Sequence, residues 1–248
     1  MDRINDTLPL RDDYVEFLEL LCSAHEYVDI EPLINFFEDI QRFTYSSENQ
    51  QNTHSYQWDH YKFLIQELLI YTIAVLIENG RYKEAGEFLD TEFYIKDRHG
   101  HAEYSNLKVF YDYLYSLDEY RKRRLDSNLY SITADTMAHR STLRKYPKQK
   151  IVDADLLLYY TAVLKGHDWP WFPRLYVYGG TSNRIQVLHR LKSLRHFEKV
   201  KYLFGVNSVE ELKALFKNFK HERQGYSGLH SIPNLPWQIN PDEVGTLS

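Results

Sequence analysis

Apolar residues recur at helical spacing through most of the chain. Leu10 to Ala24 carries Val15, Leu18, Leu21 and Cys22 on one face. Asp29 can cap a second helix, with Glu31 and Pro32 in its first turn and Leu33, Phe36, Phe37 and Ile40 as its stripe. Residues 44–57 are rich in Ser, Asn and Gln and read as an exposed loop. From about His60 to Glu78 the chain is almost wholly apolar, which predicts a central helix stopped by Asn79-Gly80. A shorter helix then runs from Arg81 to Leu89. Glu92–Lys96 and Ala102–Tyr104 flank Asp97-Arg98-His99-Gly100 as a short β-hairpin. Helices are expected over Leu107–Arg124, about Ser127–Arg144, and Asp153–Lys165.

Trp169-Pro170-Trp171-Phe172-Pro173 reads as a rigid aromatic connector, and Leu175–Tyr178 as a short strand closed by Gly179-Gly180. Between Ser182 and Phe204 apolar residues fall every third position, from Ile185 to Leu203. Three residues turn a helix by about 300°, so that stripe would wind around one straight axis. A break near Ser193 with two short helices is expected instead. Ser208-x-x-Glu211 is a capping box for a last helix reaching about Lys220. The pattern predicts a mostly α fold: a multi-helix bundle with helix hairpins and a minor β component near 92–104 and 175–178. It divides into an acidic helical half (1–105), a basic helical half packed with it (106–220), and an irregular Gly/Pro-containing tail (221–248), in which Trp237 suggests docking.

The 248 residues have an ordinary apolar share of 43% and charged share of 26%. The net charge of −5 hides a division by position. Up to Tyr120 there are 24 acidic and 9 basic side chains; from Arg121 onward there are 21 basic and 11 acidic. Either the halves face each other, or the basic one faces an anionic partner. Cys22 is the only cysteine, which excludes an intrachain disulfide or a thiolate zinc cluster and reads as a buried structural thiol. The N-terminus lacks a basic region followed by an apolar one, and Leu68–Ile77 is too short to span a bilayer. A cytoplasmic protein with no membrane association is expected.

Two short resemblances stand out. Ala74-x-x-Ile77-x-x-Gly80-Arg81-Tyr82-x-Glu84-Ala85-x-x-x-Leu89 is similar to one hairpin of a tetratricopeptide-like repeat, with no second copy. Arg184-Ile-Gln-Val-Leu-His189 resembles the R-x4–6-H signature of HEPN-family ribonucleases. That resemblance implies that Arg184 and His189 act on a 2′-hydroxyl and scissile phosphate, usually across a homodimer cleft. Arg190/His196 and Arg223/His230 repeat the spacing.

Other candidates come from the residues themselves. Gly179, Gly180, Thr181 and Ser182, followed by Arg184, form either an anion cradle between a strand and a helix or an ordinary capped turn. Arg121, Arg123 and Arg124 lie in one basic run, and Arg190, Arg195 and Lys199 belong to a second basic group. Interleaved with tyrosines, such residues suit phosphate contact and base stacking, or form a face neutralised by the acidic half. His99 and His101 sit at a turn tip more readily than on a metal, and Asp153 and Asp155 read as acids at the start of a helix. No metal site or cofactor is expected. The leading expectation is a binding or regulatory protein whose basic half contacts RNA or DNA. A HEPN-like metal-independent ribonuclease and a protein–protein scaffold are the alternatives.

Overall fold

The computed structural model describes the chain apart from residues 25–26, 47–53, 97–99, 169, 180–183, 222–224 and 227–230. Helices α1 (Asp2–Asn5), α2 (Leu8–Ala24) and α3 (Glu31–Gln41) lead to the long α4 (Asp59–Glu78) and to α5 (Tyr82–Asp90). The strands β1 (Phe93–Lys96) and β2 (Ala102–Ser105) pair antiparallel, with Phe93 opposite Ser105. There follow α6 (Lys122–Arg124), α7 (Ile132–Arg140), α8 (Lys148–Leu164), α9 (Gln186–His189), α10 (Leu194–Val200), α11 (Val209–Lys217) and α12 (Leu235–Gln238). The fold is mostly α, with this one short two-stranded sheet.

Helix α4 is the axis. Phe63, Leu69, Ile73, Val75 and Leu76 are fully buried, because α2 and α8 pack against it and α3 and α5 also meet it. An apolar surface on every side is what a helix enclosed by neighbours requires. Ser55–Glu78 is also the one helical stretch among the described residues long and apolar enough to cross a membrane, and 78% of its apolar window is buried inside the fold. Gly80, at φ +70°, closes the helix, and the Arg81 N–H donates to the Leu76 carbonyl at 2.8 Å. Gly86 on α5 lies against the Lys201–Phe204 turn so closely that a Cβ would stand 2.3 Å from the Tyr202 carbonyl oxygen. Cys22 is buried, and burial pushes its thiol up to about 11.

Several elements depart from the sequence pattern. Leu107–Arg124 is not one helix: a 3-10 turn (Leu107–Phe110) gives way to extended backbone, then to a π-helical turn (Ser116–Arg121) that runs into α6. Tertiary contacts hold the extended part, since Gln66 Nε2 donates to the Asp112 carbonyl at 3.0 Å and the Arg174 guanidinium lies 4.4 Å from the Tyr111 ring centroid. Leu175–Tyr178 is not a strand but part of a 3-10 helix, Arg174–Tyr178. Helix α8 starts at Lys148, so Asp153 and Asp155 lie inside it and not at its N-terminus. Asp155 is buried and accepts from Trp171 Nε1 at 2.6 Å and from the Leu175 N–H at 2.7 Å, fixing the aromatic connector and diverting Leu175 from any strand ladder. Ser193, extended, interrupts the helix after Arg190–Lys192 and caps α10. The tail docks at that break: the Leu247 N–H donates to the Lys192 carbonyl at 2.8 Å, and the Leu247 carbonyl accepts from the Leu194 N–H at 2.7 Å. Ile232, Leu235, Ile239 and Val244 anchor the tail, whereas Trp237 is 73% exposed.

One charged centre lies inside the bundle. Arg11, Glu67 and Arg140 are 0%, 2% and 6% exposed. Arg140 grips Glu67 with Nε (2.9 Å) and Nη2 (2.8 Å) and donates to the Ile4 carbonyl (2.6 Å). Arg11 donates to Tyr71 Oη (2.6 Å) and to the Arg140 carbonyl (3.0 Å), with Glu67 3.6 Å away. In Glu67→Ala two buried guanidinium groups lose their shared carboxylate, and urea unfolding is expected to show a loss of about 3–5 kcal/mol. Removing the exposed Arg123–Glu119 pair through Arg123→Ala is expected to cost less than about 1 kcal/mol.

A pH dependence follows from Asp155. Burial outweighs its two N–H donors and nearby Arg174, pushing its carboxyl up to about 7, against about 3.9 in the unfolded chain. Between those values the folded state keeps a proton the unfolded state has released. The contribution is complete below about pH 4 and is lost as pH rises through 7, with a slope of at most about 1.4 kcal/mol per pH unit. Asp153, raised by burial to about 6, adds to the same trend. Asp155→Asn is expected to flatten the slope in urea titrations at stepped pH while lowering stability at pH 4, because its amide nitrogen faces an N–H donor.

Candidate nucleic-acid interface

The basic run from Arg121 is held out from the surface by the π-helical turn that precedes it. Leu114 and Leu117 are buried beneath it. On the inner side Asp118 accepts from Ser131 Oγ (3.0 Å), the Thr133 N–H (3.1 Å) and Thr133 Oγ1 (2.7 Å), with Arg174 Nη1 at 3.7 Å. At its start the Ser116 N–H donates to Asp59 Oδ2 at 2.8 Å. A π turn spreads side chains more widely than an α turn and is frequent at functional sites.

The run is divided by its partners. Arg123 pairs with Glu119 at 2.7 Å, and Lys122 donates to the Tyr130 carbonyl at 3.3 Å. Arg121 and Arg124 have no carboxylate partner among the described residues and line a cleft of about 480 Å³ together with Arg3, Tyr56 and Tyr120. His54 stacks on Tyr56 at 5.1 Å, and Tyr56 meets Tyr120 edge-on at 5.3 Å, leaving Tyr120 half exposed. Asp2 and buried Asp59 are the acids of the cleft; Asp59 Oδ1 lacks a protein partner, and desolvation raises its pKa. His60 is lowered by burial and by Arg3. Arg3, Tyr56 and Asp59 come from the acidic half, and no local sequence signal links them to Arg121.

Elsewhere acids pair with part of the basic half. Lys145 pairs with Glu19, Lys150 with Glu78 (2.5 Å), Lys165 with Asp90 (2.5 Å), and Arg140 with Glu67. Lys217 pairs with Asp242 at 2.5 Å and Lys192 with Glu243 at 2.6 Å. Arg195 and Lys199 remain exposed on α10 without a carboxylate partner among the described residues, as does Arg190.

Arg184 and His189 meet at the surface, with Nη1 3.5 Å from Nδ1. Glu243 stands nearby and is held below its usual range first by Lys192, with smaller contributions from Arg184 and His189. Gly180, Thr181 and Ser182 lie outside the described residues, as does His99 of the hairpin tip. Gly179 has ordinary extended backbone, and its N–H donates to the Tyr176 carbonyl at 3.1 Å, so it is not free for an anion. Among the described residues no three His, Cys, Asp or Glu side chains gather as metal ligands. No family model matches the chain, and neither a curated protein nor a solved structure is significantly similar to it.

Proposed function

We propose that the protein binds single-stranded nucleic acid, or a polyanion of similar spacing, in the cleft beside the π-helical turn. The observation that supports this reading is the convergence of Arg3, Arg121 and Arg124 with Tyr56 and Tyr120 in one open cleft, while several cations elsewhere, such as Arg140, Lys150 and Lys165, are paired with acids. Arginines supply phosphate contacts, and exposed tyrosine rings supply sequence-tolerant stacking. Fluorescence anisotropy with labelled single-stranded RNA and DNA tests it. Binding that weakens with salt is expected, and Arg121→Ala and Arg124→Ala should each lower the log–log salt slope by about 1. Tyr120→Ala should cost about 1–3 kcal/mol of binding. No binding at low salt, or equal binding by both arginine variants, would overturn the reading.

The 3.5 Å approach of Arg184 to His189 favours a second reading, a metal-independent ribonuclease of the HEPN-like type. It expects the RNA probe to be cleaved on a denaturing gel and cleavage to disappear in His189→Ala. Intact RNA after prolonged incubation rules it out.

A further inference from the structure

A chamber of about 220 Å³ opens between the end of α4, the start of α5, the first half of α8 and α9. At about 30 Å³ per water this is room for roughly seven waters, the scale of one heterocyclic base. Its walls are Ala74, Ile77, Ala154, Leu157 and Ile185, and the two alanines, both buried, leave the space that larger side chains would fill. Ring-sized apolar walls with a few placed polar groups are the usual form of a small-molecule site.

The polar groups at the chamber are Glu78, Tyr82, Lys150, Asp153, Gln186, Arg190 and His196, and the commitments of several can be followed. Lys150 is spent on Glu78. His196 Nε2 donates to the Val187 carbonyl at 3.1 Å, which fixes that ring. Asp153 accepts from Gln149 Nε2 on Oδ1 at 2.7 Å and has no second partner among the described residues, so its other oxygen is available. Arg190 stands near Tyr82 and His196 and has no carboxylate partner among the described residues. Asp153 and Arg190 thus stand at a slot whose apolar walls are Ala74, Ile77, Ala154, Leu157 and Ile185.

We propose that this chamber is a nucleotide site that takes an amino-bearing base, with the exocyclic amine donating to Asp153 and the phosphate paired with Arg190. The choice of a nucleotide over other small anions rests on the polyanion reading above; the acceptor, the cation and the slot do not. A carboxylate accepts from the exocyclic amine of cytosine or adenine, whereas uracil sets a carbonyl oxygen at that place and has only its ring N3–H to donate. The chamber also shares Ile185 and Gln186 with the segment that carries Arg184 and His189, so a base seated there would bring its neighbouring phosphates toward that pair.

Isothermal titration calorimetry with CMP, AMP and UMP on the full chain tests the proposal. CMP and AMP are expected to bind, with UMP at least about tenfold weaker. Asp153→Asn, whose amide can both donate and accept, should bring the three within about threefold of one another. Arg190→Ala should weaken CMP and AMP by about tenfold or more, in keeping with loss of a charged hydrogen bond. Both residues lie at the partly exposed rim, and circular dichroism and thermal melting establish that the variants fold. Equal binding of UMP, or unchanged affinity in Arg190→Ala, overturns the assignment. So does binding of phenylalanine, ammonium to Asp153 and carboxylate to Arg190, without binding of CMP. Absence of mononucleotide binding alongside strand binding that depends on Arg121 and Arg124 refutes the chamber and leaves the cleft standing. Mononucleotide binding with no strand binding does the reverse.

Discussion

Glu67 stands between two arginines in the middle of the bundle, and the arrangement of the helices follows from the need to satisfy all three. Burying a guanidinium group is costly unless its N–H donors are used and its charge is met. Arg140 meets that need with Glu67, the Ile4 carbonyl and Thr7, and Arg11 with Tyr71, Asp12 and the Arg140 carbonyl. The contacts tie α1, α2, α4 and the end of α7 into one centre that spans residues 4 to 140. The sign change along the chain at Arg121 therefore lies within a cooperative unit. A fragment cut there would leave Arg11 with Glu67 but strip away the guanidinium that completes the centre.

The same economy shapes the surface. Opposite halves of the chain attract, and part of that attraction is taken up in pairs such as Lys150–Glu78 and Lys165–Asp90. Of the cations without a carboxylate partner among the described residues, the π-helical turn presents Arg121 and Arg124 beside Arg3, and α10 presents Arg195 and Lys199. Pairing of this kind lowers the long-range field of the basic half below what its composition alone would give. Asp118 matters here without facing a ligand, because its bonds to Ser131 and Thr133 hold the turn against α7.

Much of the fold was legible where local pattern and burial agree. The apolar run of α4 with Asn79-Gly80 behind it, the hairpin around residues 92–104, and the interruption at Ser193 all follow from periodicity and turn chemistry. The failures fall where a distant group overrides the local preference. Residues 111–113 leave the helix because Arg174 and Gln66 claim them, and Leu175 leaves the strand pattern because its N–H goes to Asp155, twenty residues back. Docking of the tail could be guessed from an aromatic residue, but Trp237 is exposed and aliphatic residues carry the contact. The site was half legible: the Arg121 run is plain in the sequence, whereas Arg3 and Tyr56 are brought to it only by the packing of α1 and α4. The Gly179 end of the glycine pair shows the converse, a pattern suggestive of an anion whose amide is used within the chain.

The bond from Trp171 to Asp155 has a use beyond architecture. An indole whose N–H is held by a buried carboxyl group senses the charge on that group directly, and Trp171 is itself almost fully enclosed. Trp237, open to water, gives a contrasting signal from the C-terminal tail. Of the four tryptophans, Trp171 is therefore the one, among the described residues, whose emission answers to the charge on Asp155, and variants that replace the other three indoles would isolate that signal without any label.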